Sequence, residues 1–211
     1  LIFDALVFDL DGTLWDATAA CLVGWNDALA ALKLGKSLTI AELKRITGKP
    51  IGESIKILFP NEPKKSSELL DAITHFEKIA LQNQGATLYD GLRETLEQLA
   101  RGYDLYLVSN CREWYLELFW NFSKVKKYFQ ADDCYGKSGQ NKAEMLKRLK
   151  EQYGLEKPAY IGDTAGDELA GRQAGYAFIH AAYGFGSPTR PEMVINSLPE
   201  LVKLLPVEAE R

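Results

Sequence analysis

Asp9-Leu10-Asp11-Gly12-Thr13-Leu14 follows directly on the apolar run Leu6-Val7-Phe8, and Gly162-Asp163-Thr164-Ala165-Gly166-Asp167 follows on Ala159-Tyr160-Ile161. Each segment sets carboxylates just past a run whose composition fits a strand buried on both faces. In open α/β sheets, ligands bind outside the carboxyl ends of the strands. If the two strands are parallel neighbours, Asp9, Asp11, Asp163 and Asp167 converge on one rim. Two like charges about 4 Å apart repel by roughly 4 kcal/mol at an effective dielectric of 20, so such a cluster calls for a cation. All-oxygen donors favour a hard ion, and Mg²⁺ is the expected choice. Taken singly, Asp-x-Asp-Gly also suits a turn. Gly162-Asp163 also suits a helix cap, a role that does not exclude metal binding.

The elements that would position these residues are legible as alternating patterns. Strand-like runs are Ala5 to Leu10, Leu105 to Ser109, Ala131 to Tyr135, Ala159 to Gly162 and Ala177 to His180. Helical spacing fills the gaps, with Leu92, Leu96 and Leu99, then Met145, Leu146 and Leu149, then Leu169 and Ala170 before Gly175. Strands alternating with helices from residue 86 onward imply an α/β fold with a parallel sheet covered on both faces. Residues 16–85 differ. Leu22, Trp25, Ala28, Leu29 and Leu32 recur at helical spacing, as do Ile73, Phe76, Ile79 and Ala80, and no β run interrupts them. Thr47-Gly48-Lys49-Pro50 and Pro60-Asn61-Glu62-Pro63 break helices. Trp25, Trp114 and Trp120 sit on helical patterns and are expected in the core. The expectation is a core domain of residues 1–15 and 86–211 with a helical domain of 16–85 inserted after the first strand. The tail from Pro206 to Arg211 is expected to fray.

Composition narrows the classes. The chain has 211 residues, 46% hydrophobic and 26% charged, with 25 basic and 29 acidic side chains and a formal net charge of −4. That balance argues against a nucleic-acid binder held by phosphate contacts. No segment approaches 18 uninterrupted apolar residues, so no membrane span is expected. Acids at Asp4 and Asp9 interrupt the apolar start, so no secretory leader is expected and the expected location is cytoplasmic. Cys21, Cys111 and Cys134 are odd in number, far apart and without a CxxC pair, which points to reduced thiols. His75 and His180 cannot make a zinc site with cysteines so scattered.

Asp9-x-Asp11-Gly12-Thr13, Val108-Ser109-Asn110, Lys142 and Gly162-Asp163-x-x-x-Asp167, in that order, resemble the four motifs of the haloacid dehalogenase-like hydrolase superfamily. The resemblance spans the chain, because the helical insert lies where that superfamily places its all-α cap. It implies a Rossmann-like core and an aspartyl-phosphate mechanism. Asp9 would be the nucleophile, and Asp11 would protonate the leaving oxygen and then deprotonate the attacking water. Asp9, the backbone carbonyl of Asp11 and Asp163 would hold Mg²⁺, with Asp167 orienting a metal-bound water or Lys142. Ser109 and neighbouring backbone N–H groups would bind a phosphoryl oxygen, with Thr13 and Asn110 also on the substrate side. Lys142 would balance charge in the transition state. It is preferred to nearby Lys137 because it opens the helical run toward Met145 and stands at the usual distance before Gly162-Asp163.

The implied activity is a Mg²⁺-dependent phosphatase for a small phosphorylated metabolite, of the phosphoglycolate phosphatase-like kind. A phosphomutase resembling β-phosphoglucomutase is the alternative. Such caps place a His and basic residues close behind the first motif, where this chain has Ala19-Ala20-Cys21. A dehalogenase would not need Asp11. A silent binding protein of this fold should have lost Asp9 or Asp11. Within the cap, Lys49 in the Thr47–Pro50 break is a candidate for a second anionic or hydroxyl group of the substrate. Segments near Trp15-Asp16 and Ala86 to Asp90 would act as hinges. Trp15 reads as a packed hinge aromatic or an entrance residue, and Tyr183-Gly184-Phe185-Gly186 as a turn that could border the site and is treated as structural.

Overall fold

A computed structural model of the chain describes residues 3–62, 65–205 and 207. The elements run β1 (Ala5–Phe8), β2 (Trp15–Asp16), α1 (Thr18–Ala31), α2 (Ile40–Ile46), α3 (Ile51–Leu58), α4 (Ser66–Gln84), β3 (Thr87–Leu88), α5 (Leu92–Leu99) and β4 (Asp104–Ser109). They continue α6 (Glu113–Ser123), β5 (Ala131–Cys134), α7 (Tyr135–Ser138), α8 (Lys142–Tyr153), β6 (Ala159–Gly162), α9 (Ala165–Gln173), β7 (Ala177–Ala181), β8 (Met193–Ile195) and α10 (Glu200–Leu204). The chain divides into two compact units, residues 1–15 with 88–211, and residues 16–87.

The first unit is built on a six-stranded sheet of order β5-β4-β1-β6-β7-β8, with each neighbouring pair parallel. All four residues of β1 and of β6 are buried, as a central parallel strand requires. Side chains alternate across the sheet. Ala5 and Val7 of β1 join Tyr106, Val108, Tyr160 and Phe178 against Met145, Leu146 and Leu149 of α8 and Ala170 of α9. Phe8 faces the other way and meets Phe129 edge to face at 6.0 Å, and Phe129 contacts Trp120 of α6 at 5.0 Å. The fold is thus an α/β, Rossmann-like sheet with helices on its faces, as the alternating pattern implied.

The helices that carry site residues begin at defined places. Asn141 caps α8 in a reciprocal capping box with Glu144, and Gly154 ends that helix in the left-handed conformation. Thr164 caps α9 in the same way with Asp167.

The second unit packs α1 along α4. A Cβ on Gly24 would lie 2.4 Å from the Glu77 Cα, so only glycine permits this approach. Beside it, the buried Glu77 carboxylate accepts a hydrogen bond from Trp25 Nε1 at 3.0 Å. The helices α2 and α3 are separated at the Thr47–Pro50 break. The two segments that pass between the units, β2 and β3, pair with each other.

Several expectations are corrected. The first strand stops at Phe8, because Asp9 and Leu10 already belong to the turn that follows. Tyr135 starts α7 rather than ending β5. The edge strand β8 was not expected, because three residues cannot show a period. Trp114 is only partly buried, and Leu169 is 59% exposed although its spacing suggested an inward face. Pro63 and the tail, apart from Val207, lie outside the described residues.

Candidate active site

Asp9 leaves β1 with its N–H bonded to Ile161 O of β6 at 2.8 Å, which ties the end of one strand to its neighbour. The chain then folds back, as Thr13 N and Leu14 N both donate to Leu10 O and Gly12 N donates to Trp15 O. Leu10 and Leu14 are fully buried and anchor this loop. Gly12 has φ +78°, and a Cβ there would lie 2.2 Å from Asp163 Oδ2. Glycine is therefore needed both for the turn and for the passage of the loop across Asp163.

Because β1 and β6 are adjacent and parallel, Asp9 and Asp163 emerge side by side. One oxygen from each of Asp9, Asp163 and Asp167 lies within 4.8 Å of the others, and all three residues are buried. Lys142, at the first position of α8 and only 4% exposed, places Nζ 2.9 Å from Asp9 Oδ1 and against Asp167 Oδ1. A lysine at a helix N-terminus works against the helix dipole. Here two carboxylates offset that cost.

The oxygens divide into used and unused. Asp167 Oδ2 is taken by the Thr164 N–H and hydroxyl at 2.9 and 2.6 Å, so both its oxygens have protein partners. Asp163 Oδ2 accepts from Phe185 N at 2.7 Å. Asp9 Oδ2 and Asp163 Oδ1 are buried without a hydrogen-bond partner. Buried unsatisfied carboxylate oxygens are costly. Burial pushes the Asp9 carboxyl up from 3.8 to about 6, with Lys142 pulling down and Asp167 pushing up. Burial, then Asp167 and Asp9, push Asp163 up to about 8. Burial alone would lower Lys142, but Asp167 and Asp9 hold its ammonium above the ordinary lysine range. One ammonium does not balance three buried carboxylates. Two orphaned hard donors beside it fit a divalent metal ion.

Asp11 is turned differently. Its Oδ1 accepts from Trp15 Nε1 at 2.9 Å and from Tyr115 OH at 2.5 Å. Trp15 is a packed aromatic, 5.1 Å from both the Tyr115 and Phe119 ring centroids. Ser109 ends β4, buried, and its Oγ accepts from Cys111 N at 3.4 Å. It does not cap α6, whose N-cap is Arg112. Asn110 follows it, half-buried. Thr13 is buried with Oγ1 unpartnered, and its carbonyl accepts from Tyr183 OH at 2.9 Å. Lys137 pairs with Asp132 instead. Lys49 belongs to the helical unit, 41% exposed at its side chain and 3.3 Å from Glu53.

Three contributors were not foreseen. Tyr160 donates to Val108 O at 3.0 Å and reaches Asp167 Oδ1 at 3.5 Å, and a tyrosine inside a buried strand is the signal that could have found it. The turn Tyr183–Gly186, treated as structural though it could border the site, closes on the cluster, since a Cβ on Gly184 would lie 2.3 Å from Asp163 Cβ and 2.5 Å from Gly12 O. Tyr115 carried no local signal at all.

Comparison with known proteins identifies relatives of the chain. A family model described as haloacid dehalogenase-like hydrolase matches residues 6–181. A phosphoglycolate phosphatase of Vibrio parahaemolyticus is 27% identical over 226 residues, covering 97% of this chain and 96% of that one. One of Aquifex aeolicus is 29% identical over 212 residues, with 95% of each chain covered. Among solved structures, a predicted phosphoglycolate phosphatase from Haemophilus somnus superposes with a TM-score of 0.85 at 21% identity, over 97% of this chain and 98% of that one. A predicted phosphatase from Clostridium acetobutylicum does so with a TM-score of 0.82 at 20% identity, over 97% and 99%. At these identities the structural likeness speaks for the fold.

Proposed function

The chain belongs to the haloacid dehalogenase-like hydrolase family, and on that premise we propose that it is a Mg²⁺-dependent phosphatase acting on a small phosphorylated metabolite. The observation that carries this reading is the buried Asp9, held by Lys142 at 2.9 Å beside Asp163 and Asp167, with one oxygen of Asp9 and one of Asp163 left unpartnered. The phosphoglycolate phosphatases matched over nearly their whole length support a phosphoglycolate-like ester as the first substrate to try.

Asp9 attacks phosphorus, forming an O–P bond to its carboxylate as the ester P–O bond breaks. Asp11 gives its proton to the departing alkoxide. It then takes one from the water that attacks the aspartyl-phosphate and frees Asp9. Lys142 holds Asp9 ionised despite burial and offsets charge on the transferring group. Ser109, Asn110 and Thr13 lie on the strand end and loop that would receive the phosphoryl oxygens. Asp9, the Asp11 backbone carbonyl and Asp163 would hold the metal, with Asp167 fixing Lys142 rather than serving as a ligand. When bound, Mg²⁺ supplies charge neutralisation to the phosphate and the carboxylates. The helical unit would supply substrate specificity, with Lys49 a candidate contact.

The test is a kcat/KM profile over glycolate, sugar and nucleotide monophosphates, with Mg²⁺ and with EDTA. Turnover with Mg²⁺ that EDTA abolishes is expected, highest on a small carboxylated ester. Well-folded protein inert across the panel would overturn the reading, and transfer to a sugar acceptor would replace it with a mutase.

A further inference from the structure

We propose that Tyr115, together with Trp15, is a positioning residue for Asp11, holding its carboxylate through Oδ1 in the orientation from which it exchanges protons. This rests on the reading of Asp11 as general acid and base.

Both donors converge on one oxygen, Tyr115 OH at 2.5 Å and Trp15 Nε1 at 2.9 Å. An O–H donor at that distance is in the range of hydrogen bonds to a charged acceptor. Neither donor depends on the carboxylate for its place. Tyr115 and Trp15 are buried at 6% and 2% exposure, and their rings meet edge to face at 5.1 Å and 82°. Trp15 also packs on Phe119 one turn further along α6, and Trp114 flanks Tyr115 at 5.7 Å. The backbone adds a tie, since Gly12 N donates to Trp15 O at 2.9 Å across the same loop. Two donors held by aromatic packing cost little to reorganise when the acid changes charge.

The test is Tyr115→Phe, which keeps the ring and removes the hydroxyl. With Mg²⁺ and the best ester of the panel, kcat is expected to fall roughly tenfold, about 1.4 kcal/mol, with KM within about twofold. The loss in kcat/KM should be larger for alkyl esters, whose leaving oxygen needs a proton, than for p-nitrophenyl phosphate. Tyr176→Phe, which deletes a buried hydroxyl bonded to Leu146 O at 2.8 Å, should leave kcat unchanged. An independent arm compares crystal structures of the wild-type protein and Tyr115→Phe. The Asp11 carboxylate should turn from its wild-type orientation in Tyr115→Phe. A wild-type kcat in Tyr115→Phe, or an unmoved Asp11 carboxylate, would overturn the proposal. Absence of wild-type turnover would instead remove the phosphatase reading, and the two structures would still decide whether Tyr115 holds Asp11.

Discussion

Lys142 Nζ lies 2.9 Å from Asp9 Oδ1, joining the first turn of α8 to the loop after β1 across 133 residues of sequence. Both groups are buried, so the pair is neither screened nor loosened by solvent. Its partner Asp167 draws on the same ammonium. Lys142→Met should therefore leave two buried carboxylates without their cation. We expect a loss of at least 10²-fold in kcat, an estimate for a removed electrostatic stabiliser, and a stability loss of about 3–5 kcal/mol, as for a broken buried pair. Single-turnover kinetics and urea unfolding measure the two separately. Near-wild-type kcat would deny Lys142 its role.

Asp9→Asn should abolish turnover and leave the fold intact, because it removes the proposed nucleophilic oxygen while keeping the shape. Mass spectrometry of quenched wild-type reactions should show a phosphate adduct on the peptide containing Asp9 that the variant lacks. An adduct elsewhere would reassign the nucleophile.

The metal-free protein should lose stability as pH rises from about 4 to 8. Asp163 rises from 3.8 unfolded to about 8 folded, and Asp9 from 3.8 to about 6. The folded state then binds more protons than the unfolded state over that window, so the slope of stability against pH is negative. Mg²⁺ should reverse the loss and bind more tightly toward pH 8, as protons cease to compete. Thermal melts with EDTA, compared with Asp163→Asn, isolate the effect. An identical pH slope in the variant would contradict it.

Gly184→Ala would force a methyl to within 2.3 Å of Asp163 Cβ and 2.5 Å of Gly12 O. Displacement of the Phe185 N–H from Asp163 should weaken Mg²⁺ binding measurably by calorimetry. The overpacking should cost about 1–3 kcal/mol of stability. Unchanged metal affinity would show that this turn merely covers the site.

Lys49→Ala should raise KM for a doubly anionic ester several-fold and leave stability within about 1 kcal/mol, since the exposed Lys49–Glu53 pair contributes little. An unchanged KM across the substrate panel would remove Lys49 from substrate binding.

The chain's local order already carries the chemistry and the class of fold. Asp9, Asp11, Asp163 and Asp167 stand at the ends of apolar runs, and those runs alternate with helical spacing. Burial of a parallel strand and the direction of its side chains are short-range consequences of composition, so a reader of the sequence can find them. Lys142 was recoverable from its place at the head of α8. Short or edge elements such as β8 were not, because three residues have no period to read.

The tertiary structure decided what each oxygen does. Asp167 is spoken for by Lys142 and Thr164, while Asp163 keeps one oxygen unpartnered. Asp11 is held by Tyr115, 104 residues away, and Asp163 by the N–H of Phe185. No pattern within a helix or strand encodes such partners, because they depend on which strands become neighbours and how the loops between them close. The aspartates and their spacing are local facts of the chain. Their division of labour exists only once β1 and β6 lie side by side and the packing of α6, α8 and the turn after β7 brings donors to particular oxygens.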